Sequence, residues 1–177
     1  MSDGRRNGHY RHFDLEEFLP YWLSVLSNTV SQGIARFYQQ THGLSVPEWR
    51  VMAVLGRYPG ITASEVGERT VMDKVTVSRA VNTLLDKGYL ERVTDASDRR
   101  KRPLRVSAPR GTAIMEAVIP YALDYQAALL ADLTPAELET FQDLSARLLQ
   151  AAGTLNEHHS PNEPNIPKPR PKKTANG

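Results

Sequence analysis

The sequence predicts a mainly α-helical protein with one small β-hairpin, and three observations lead to this fold class. Between residues 45 and 88, three short helical segments follow one another with brief connections. Directly after them the apolar residues change from helical spacing to alternation, which is typical of paired strands. Long helical segments with one apolar face stand at both ends, over 13–42 and 109–150. This order predicts a winged helix-turn-helix flanked by terminal helices.

The first terminal helix is expected to begin near Asp14, because Asp14 and Glu17 have the spacing of a capping pattern. Apolar residues then recur at helical spacing over 15–37. Pro20 either kinks this helix or opens its main part. Residues 1–12 are polar and charged and are expected to be disordered.

Each of the three short helices has a capping residue at its start. Ser45 with Glu48, and Thr62 with Glu65, have the spacing of capping boxes. Asp73 can cap the third helix, which is expected to run to residue 87 and to end at the glycine that follows. The tight turn between the second and third helices predicts a helix-turn-helix.

A β-hairpin and two further helices follow. Residues 89–93 and 104–107 alternate as strands do, and the basic segment between them becomes the hairpin loop. A long helix is predicted over 109–130, with a possible kink at Pro120. Thr134 can cap a last helix whose apolar stripe is formed by Leu138, Phe141, Leu144 and Leu148.

Positive charge is concentrated in one part of the chain. The net charge is +2, yet the segment 69–110 contains eleven Lys or Arg and five Asp or Glu. A positive sector on an otherwise acidic body indicates that a polyanion docks on one face. The alternative is a solvated charged loop. The residues near this segment are needed to distinguish a polyanion-binding face from such a loop.

The third short helix favours nucleic acid as the partner. Its apolar residues fall on one face, and short polar or cationic side chains cluster on the other face of its N-terminal half. Such side chains suit a helix that enters the major groove of DNA; the alternative is an ordinary polar helix face. The candidate contacts are Lys74, Thr76, Ser78, Arg79 and Asn82, together with Ser64 of the preceding helix.

The hairpin loop supplies a second candidate contact. Arg99, Arg100, Lys101 and Arg102 form an unbroken cationic run directly after Asp98. A narrow arginine-tipped hairpin can enter a minor groove, where the negative potential offsets the repulsion among the cations. Asp98 can hold one guanidinium in a fixed pose, and the remaining cations would contact phosphates.

Taken together, these segments resemble the MarR (multiple antibiotic resistance regulator) family of bacterial transcription factors. The resemblance covers roughly residues 14–150. It is carried by the segments VPEWRV (46–51), 62–69, TVSR (76–79), DKGYLER (86–92) and DRR (98–100).

The resemblance implies a homodimer of winged helices on a pseudo-palindromic operator. It also implies repression that a small ligand relieves, often a phenolic or aromatic acid. Thr76, Ser78 and Arg79 match the recognition-helix contacts, and Asp98 with Arg100 match the wing pair, with Arg100 in the minor groove. One position departs from the family pattern, because Ser107 stands four residues before Gly111 where the family has Ser or Thr three before it.

The resemblance assigns a role to each part of the chain. It also narrows the chemical class of the expected effector. The segments FDLEEFLPYWL, PEWRVMAVLGR and MDKVTVSRAV look like a branch that controls aromatic-acid catabolism, in which some members respond to hydroxycinnamoyl-CoA thioesters. The predicted division is an N-terminal arm (1–12), dimerisation helices (13–44 and 109–152), a winged DNA-binding domain (45–108) and a disordered tail rich in Pro and Lys (153–177).

A pocket for such an effector is expected where the terminal helices meet the winged helix. Arginines there can pair with a carboxylate or a CoA phosphate, and aromatic rings can stack on the ligand. The alternative is that the aromatic residues are core and the arginines are solvated. The candidates are Tyr21, Trp22, Arg36, Tyr38, His42, Trp49 and Arg50.

Several other classes are disfavoured. Without cysteine there is no disulfide, thiolate metal site or cysteine redox sensor. The five histidines have no zinc-site spacing. No Gly-rich phosphate loop, nucleophile elbow or apolar run of about 18 residues is present, so neither an enzyme, a cofactor nor a membrane partner is predicted. The polar N-terminus favours the cytoplasm. The alternative function is a non-sensing winged-helix protein that shapes DNA.

Overall fold

The structure, a computed structural model, describes residues 13–93 and 102–158. It contains six helices and a two-stranded antiparallel sheet within these residues, which confirms the predicted fold class. The order along the chain is α1 (Leu19–His42), α2 (Val46–Arg57), α3 (Ala63–Thr70), α4 (Lys74–Asp86), β1 (Leu90–Arg92), β2 (Leu104–Val106), α5 (Arg110–Leu129) and α6 (Pro135–His158).

α1 begins later than the capping pattern at Asp14 predicts, so that prediction is wrong. The Asp14 carboxylate accepts a hydrogen bond from the backbone N–H of Glu16 at 3.2 Å, within a turn that precedes the helix. Phe18 is the N-cap, and Pro20 lies in the first helical turn. Proline is favoured there because the first-turn N–H groups have no intrahelical partner. Pro20 therefore opens the helix, and Gly43 ends it with a φ of 60°.

The predicted starts of the three short helices are confirmed. Ser45 and Thr62 each form a complete capping box with the glutamate three residues later. Asp73 caps α4 by accepting from two backbone N–H groups. Gly88 follows α4 with a φ of 69°, in the left-handed region that favours glycine.

The core of the winged helix is formed by the inner faces of α2 and α4 together with β2. Val51, Met52, Leu55, Leu84 and Leu104 are almost fully buried there. Leu104 also forms an isolated bridge with Ile61, and the two residues are joined by the Leu104 N–H bond to the Ile61 carbonyl at 2.9 Å. The segment before α3 therefore extends the hairpin sheet, a contact between distant residues that strand alternation did not predict.

The hairpin itself pairs Leu90 with Val106 and Arg92 with Leu104. Its loop from 94 to 101 lies outside the described residues, as do the N-terminal segment 1–12 and residues 159–177. The predictions of a disordered arm and of a basic hairpin tip fall there.

α5 agrees with the predicted helix over 109–130 to within one residue at each end, whereas α6 extends further than the sequence predicts. α5 continues across Pro120. α6 is capped by Thr134 and continues through Gly153 to His158, past the predicted boundary at residue 152. One interior glycine costs a helix only about 1 kcal/mol, which its flanking residues can offset. The chain forms two compact units, one through Ala128 and one from Leu129 onward.

Candidate nucleic-acid interface

α4 has a buried face and an exposed face on opposite sides. Val77, Ala80, Val81 and Leu84 are buried. At 100° per residue, the opposite side of the helix is centred on Val75, Arg79 and Asn82, and all three are exposed. Lys74 and Ser78 are also exposed and lie along one flank of this face. The structure therefore places Lys74, Ser78, Arg79 and Asn82 where the sequence predicted them.

Thr76 has a different position from the other predicted contacts. It is half-buried, and its hydroxyl donates to Asp73 Oδ2 at 2.6 Å while its backbone N–H donates to Asp73 Oδ1 at 2.9 Å. These bonds, led by the Thr76 hydroxyl, lower the pKa of Asp73. Thr76 therefore helps to cap α4 and has only acceptor capacity left for a ligand.

A groove of about 390 Å³ separates α3 from α4. It brings Ser64 of α3 beside Lys74 and Ser78 of α4, three of the predicted contacts. Glu68 lines the same groove and was missed from the sequence. Its position four residues after Ser64 puts the two on one helix face, which is a signal that spacing could have revealed.

A second groove of about 240 Å³ lies between the start of α2 and α4. Ser45 and Pro47 line it from α2, and Arg79 and Thr83 from α4. Arg79 therefore borders a recess, where a guanidinium can contact a phosphate as well as a base edge.

A partly buried ion pair holds the C-terminal end of α4. Lys87 Nζ lies 3.2 Å from Glu48 Oε1 and donates to the Gly43 carbonyl at 2.9 Å. The second Glu48 oxygen accepts from the Ser45 N–H at 2.6 Å. Glu48 is only 6% exposed, so these partners replace the water that its carboxylate loses on burial. The arrangement ties α4 to the junction of α1 and α2, so Glu48 has a role beyond the capping that its spacing predicted.

The hairpin stem presents its own charges. Arg105 on β2 is paired through Nε with Glu91 on β1, directly opposite in the register. Arg102 is exposed just before β2. Asp98, Arg99, Arg100 and Lys101, the other predicted wing contacts, lie outside the described residues.

Ser107 joins the end of the hairpin to α4 and α5. Its hydroxyl donates to the Gly88 carbonyl at 2.6 Å and accepts from the Gly111 N–H at 3.2 Å. A Cβ on Gly111 would overlap the Tyr89 carbonyl oxygen. α5 begins at Arg110, so the residue that satisfies its first turn is Ser107, and Ala108 does not take that role.

The predicted pocket residues fall into two groups. The Tyr38 ring is 1% exposed and stacks on Trp49 with ring centroids 5.6 Å apart. Burial raises the pKa of Tyr38, and the charge of the nearby Arg50 acts in the opposite direction. His42 lies edge-on to Phe37, which stacks on Tyr121 of α5 at 4.2 Å.

Tyr21, Trp22 and Arg36 do not join this group. Trp22 is 50% exposed, and both Tyr21 and Arg36 are exposed on α1. Tyr38 follows Trp22 by sixteen positions, which is a distance of about 24 Å along α1. Within one chain, therefore, Tyr21 and Trp22 do not line the same site as Tyr38 and Trp49.

Neither a metal nor a membrane site is found among the described residues. No three His, Cys, Asp or Glu side chains of residues 13–93 and 102–158 are grouped so as to hold a metal ion. In the same part of the chain, no helix has the length and hydropathy needed to cross a membrane.

Comparison with known proteins agrees with this architecture. Residues 42–101 match the sequence profile of the MarR family. The transcriptional regulator HosA of Escherichia coli O127:H6 is 27% identical over 124 residues, which are 70% of this chain and 91% of HosA.

Solved structures show the same fold. A MarR/EmrR family transcriptional regulator from Acinetobacter sp. ADP1 superposes with a TM-score of 0.73 at 22% identity, covering 80% of this chain and 99% of that one. The S. aureus MepR–DNA complex superposes with a TM-score of 0.69 at 18% identity, covering 77% of this chain and 98% of that one. In its winged helix, in the profile match over residues 42–101 and in its regulator relatives, this chain is similar to the MarR family of transcriptional regulators.

Proposed function

We propose that the protein is a homodimeric repressor that binds a pseudo-palindromic operator and is released by a small aromatic acid or its CoA thioester. The observation that carries this proposal is the exposed face of α4. This face presents Lys74, Ser78, Arg79 and Asn82 opposite the buried face of the same helix. A helix with its core side fully packed and its outer side rich in donors suits major-groove docking.

The contacts divide by chemistry. Ser78, Arg79 and Asn82 would reach base edges, and Ser64 and Lys74 beside the α3–α4 groove would hold phosphates. The hairpin would place Arg100 in the minor groove, held by Asp98, with Arg99, Lys101 and Arg102 on phosphates.

Apolar surface on α1 supports the homodimer. Leu19, Trp22, Leu23 and Leu26 are all at least one-third exposed on this helix, although they follow helical spacing. α6 carries a comparable exposed series at Phe141, Leu144 and Leu148. Such apolar faces are stabilised by burial against a second copy of the chain. A twofold dimer would present its two α4 helices to the two halves of a palindromic operator.

The effector site is proposed around Tyr38, Trp49 and Arg50. Stacked rings beside a guanidinium suit an aromatic acid through its ring and its carboxylate, or an aromatic acyl-CoA through its ring and a phosphate of the CoA moiety. These residues lie on α1 and on α2, and α2 is tied to α4 through Glu48 and Lys87. A ligand that displaces α1 from α2 would therefore change the position of α4 and weaken operator binding.

A gel-shift titration on the DNA upstream of the protein's own gene tests the proposal. The titration is run at fixed salt, with and without a panel of aromatic acids and their CoA thioesters. Release by one compound, together with loss of that response in Arg50→Met but not in the exposed Arg36→Met, supports the ligand-controlled repressor.

Two other results would contradict parts of the proposal. Tight specific binding that no compound disturbs would favour a non-sensing winged-helix protein. Equal affinity for upstream and random DNA would remove the operator from the function.

A further inference from the structure

The outward face of α4 includes one apolar side chain near the start of the helix. Val75 is 57% exposed and is the second residue of the helix. Arg79 and Asn82 follow it by four and seven residues, so the three lie on one line along the exposed face. Val75 was not among the contacts that the sequence predicted.

The fold itself does not explain this valine. The core side of α4 is occupied by Val77, Ala80, Val81 and Leu84. Val75 lies on the opposite side, and it takes no part in the hydrophobic cluster of the described residues. A β-branched residue also has a lower helix propensity than alanine or lysine.

A single exposed apolar side chain is common on protein surfaces and by itself indicates nothing. What distinguishes Val75 is its place in the DNA-facing surface. Its neighbours on the face are a guanidinium and an amide, the side chains that read guanine and adenine. An apolar group placed among such donors matches the one apolar group on the major-groove edge, the C5-methyl group of thymine.

We propose that Val75 contacts the C5-methyl group of a thymine in each operator half-site and thereby specifies T·A at that position. The inference rests on the proposed role of α4 as the helix that enters the major groove. It adds a specificity contact that is neither a hydrogen bond nor a charge interaction, and it therefore predicts a dependence on one methyl group of the DNA.

The experiment removes that methyl group from the DNA and the matching methyl groups from the protein. The half-site is first obtained by selection from a randomised duplex with the full-length protein. Each thymine of the half-site is then replaced in turn by deoxyuridine, which keeps base pairing and deletes only the methyl group. At one position per half-site, the replacement should weaken wild-type binding about fourfold per methyl group.

Val75→Ala should bind the thymine and uracil operators equally at that position and keep the wild-type response at every other thymine. Val75→Thr, which retains one methyl group and the β-branch, serves as the matched control and should keep a partial response. Because Val75 is exposed, the variants are expected to fold, and their thermal unfolding midpoints verify this.

Two outcomes would overturn the inference. Wild-type protein could tolerate uracil at every position, or Val75→Ala could remain as sensitive as wild type. Both leave the proposed function intact, since a specific operator would have been selected. Failure to select any motif would instead contradict the operator-binding function itself.

Discussion

α4 and α1 both have apolar residues at helical spacing, but they differ in how many of those residues are buried within one chain. α4 buries four residues out of thirteen and exposes mainly polar groups on its other side, apart from Val75. α1 has twenty-four residues, of which Ala35 and Tyr38 are buried, both in its C-terminal half. The winged helix therefore buries its apolar faces within one chain, whereas the apolar residues in the N-terminal half of α1 are exposed in the described structure.

The largest expected effect comes from breaking the α1 side alone. Leu23→Glu with Leu26→Glu places charges on the exposed apolar face without touching α4 or its core. We expect a monomer by light scattering and a loss of operator affinity of about 1,000-fold, because two half-sites would no longer be bound together. Gln32→Glu, exposed on α1 outside the apolar series, is the control. A dimer that survives the double change would place the interface elsewhere.

A substitution at Gly111 tests the packing of α5 against Tyr89, which lies between α4 and β1. An alanine Cβ there would overlap the Tyr89 carbonyl oxygen, which is main chain and cannot rotate away. Gly111→Ala should lower the free energy of unfolding by about 3 kcal/mol in urea titrations. Gly153→Ala in α6 meets no atom within 4 Å and should be neutral or stabilising by up to about 1 kcal/mol. Equal changes in the free energy of unfolding for Gly111→Ala and Gly153→Ala would refute the close approach of Gly111 to the Tyr89 carbonyl oxygen.

The ion pair at the end of α4 is expected to have a smaller effect. Lys87→Met leaves the buried Glu48 carboxylate without its cation and should cost about 2 kcal/mol, less than a fully buried pair because Lys87 is 32% exposed. Adding Glu48→Gln removes the uncompensated charge while keeping an acceptor for the Ser45 N–H. The double variant should therefore be more stable than Lys87→Met alone. If the stability losses of Lys87→Met and Glu48→Gln, each measured alone, simply add in the double variant, the ion pair does not stabilise the attachment of α4.

The smallest expected effect is a pH dependence at the start of α4. Hydrogen bonds from Thr76 lower the pKa of Asp73 in the folded protein, so its contribution to stability is present above the unfolded pKa and is lost as pH falls through the folded pKa. Asp73→Asn keeps a good N-cap but does not titrate. Urea midpoints of the variant should fall less steeply than those of wild type below about pH 4. Parallel curves would contradict this role of Asp73.

The difference between the two helices also explains which sequence predictions were confirmed. The starts of α2, α3 and α4 depend on hydrogen bonds between residues three apart, and Ser45, Thr62 and Asp73 predicted them. The start of α1 has no side-chain cap. A capping pattern at Asp14 was therefore misleading, because the carboxylate forms a local turn instead.

The residues of the candidate interface were predicted from the sequence, but their positions and contacts were predicted only in part. The exposed positions of Lys74, Ser78, Arg79 and Asn82 followed from helical spacing alone. The hydrogen bonds between Thr76 and Asp73, the stacking of Tyr38 on Trp49 and the recess beside Arg79 required coordinates. Each depends on a rotamer or on a distance that residue type does not specify.

The sequence by itself determined the helix order, the caps of α2, α3, α4 and α6, the hairpin and the cationic character of its loop, because these follow from residues close along the chain. Tertiary structure decided the bridge between Ile61 and Leu104, the link from Lys87 to Glu48 and Gly43, and the contact of Gly111 with Tyr89. Those contacts join residues far apart in sequence, and they form only when the packing of the apolar core has brought the elements together.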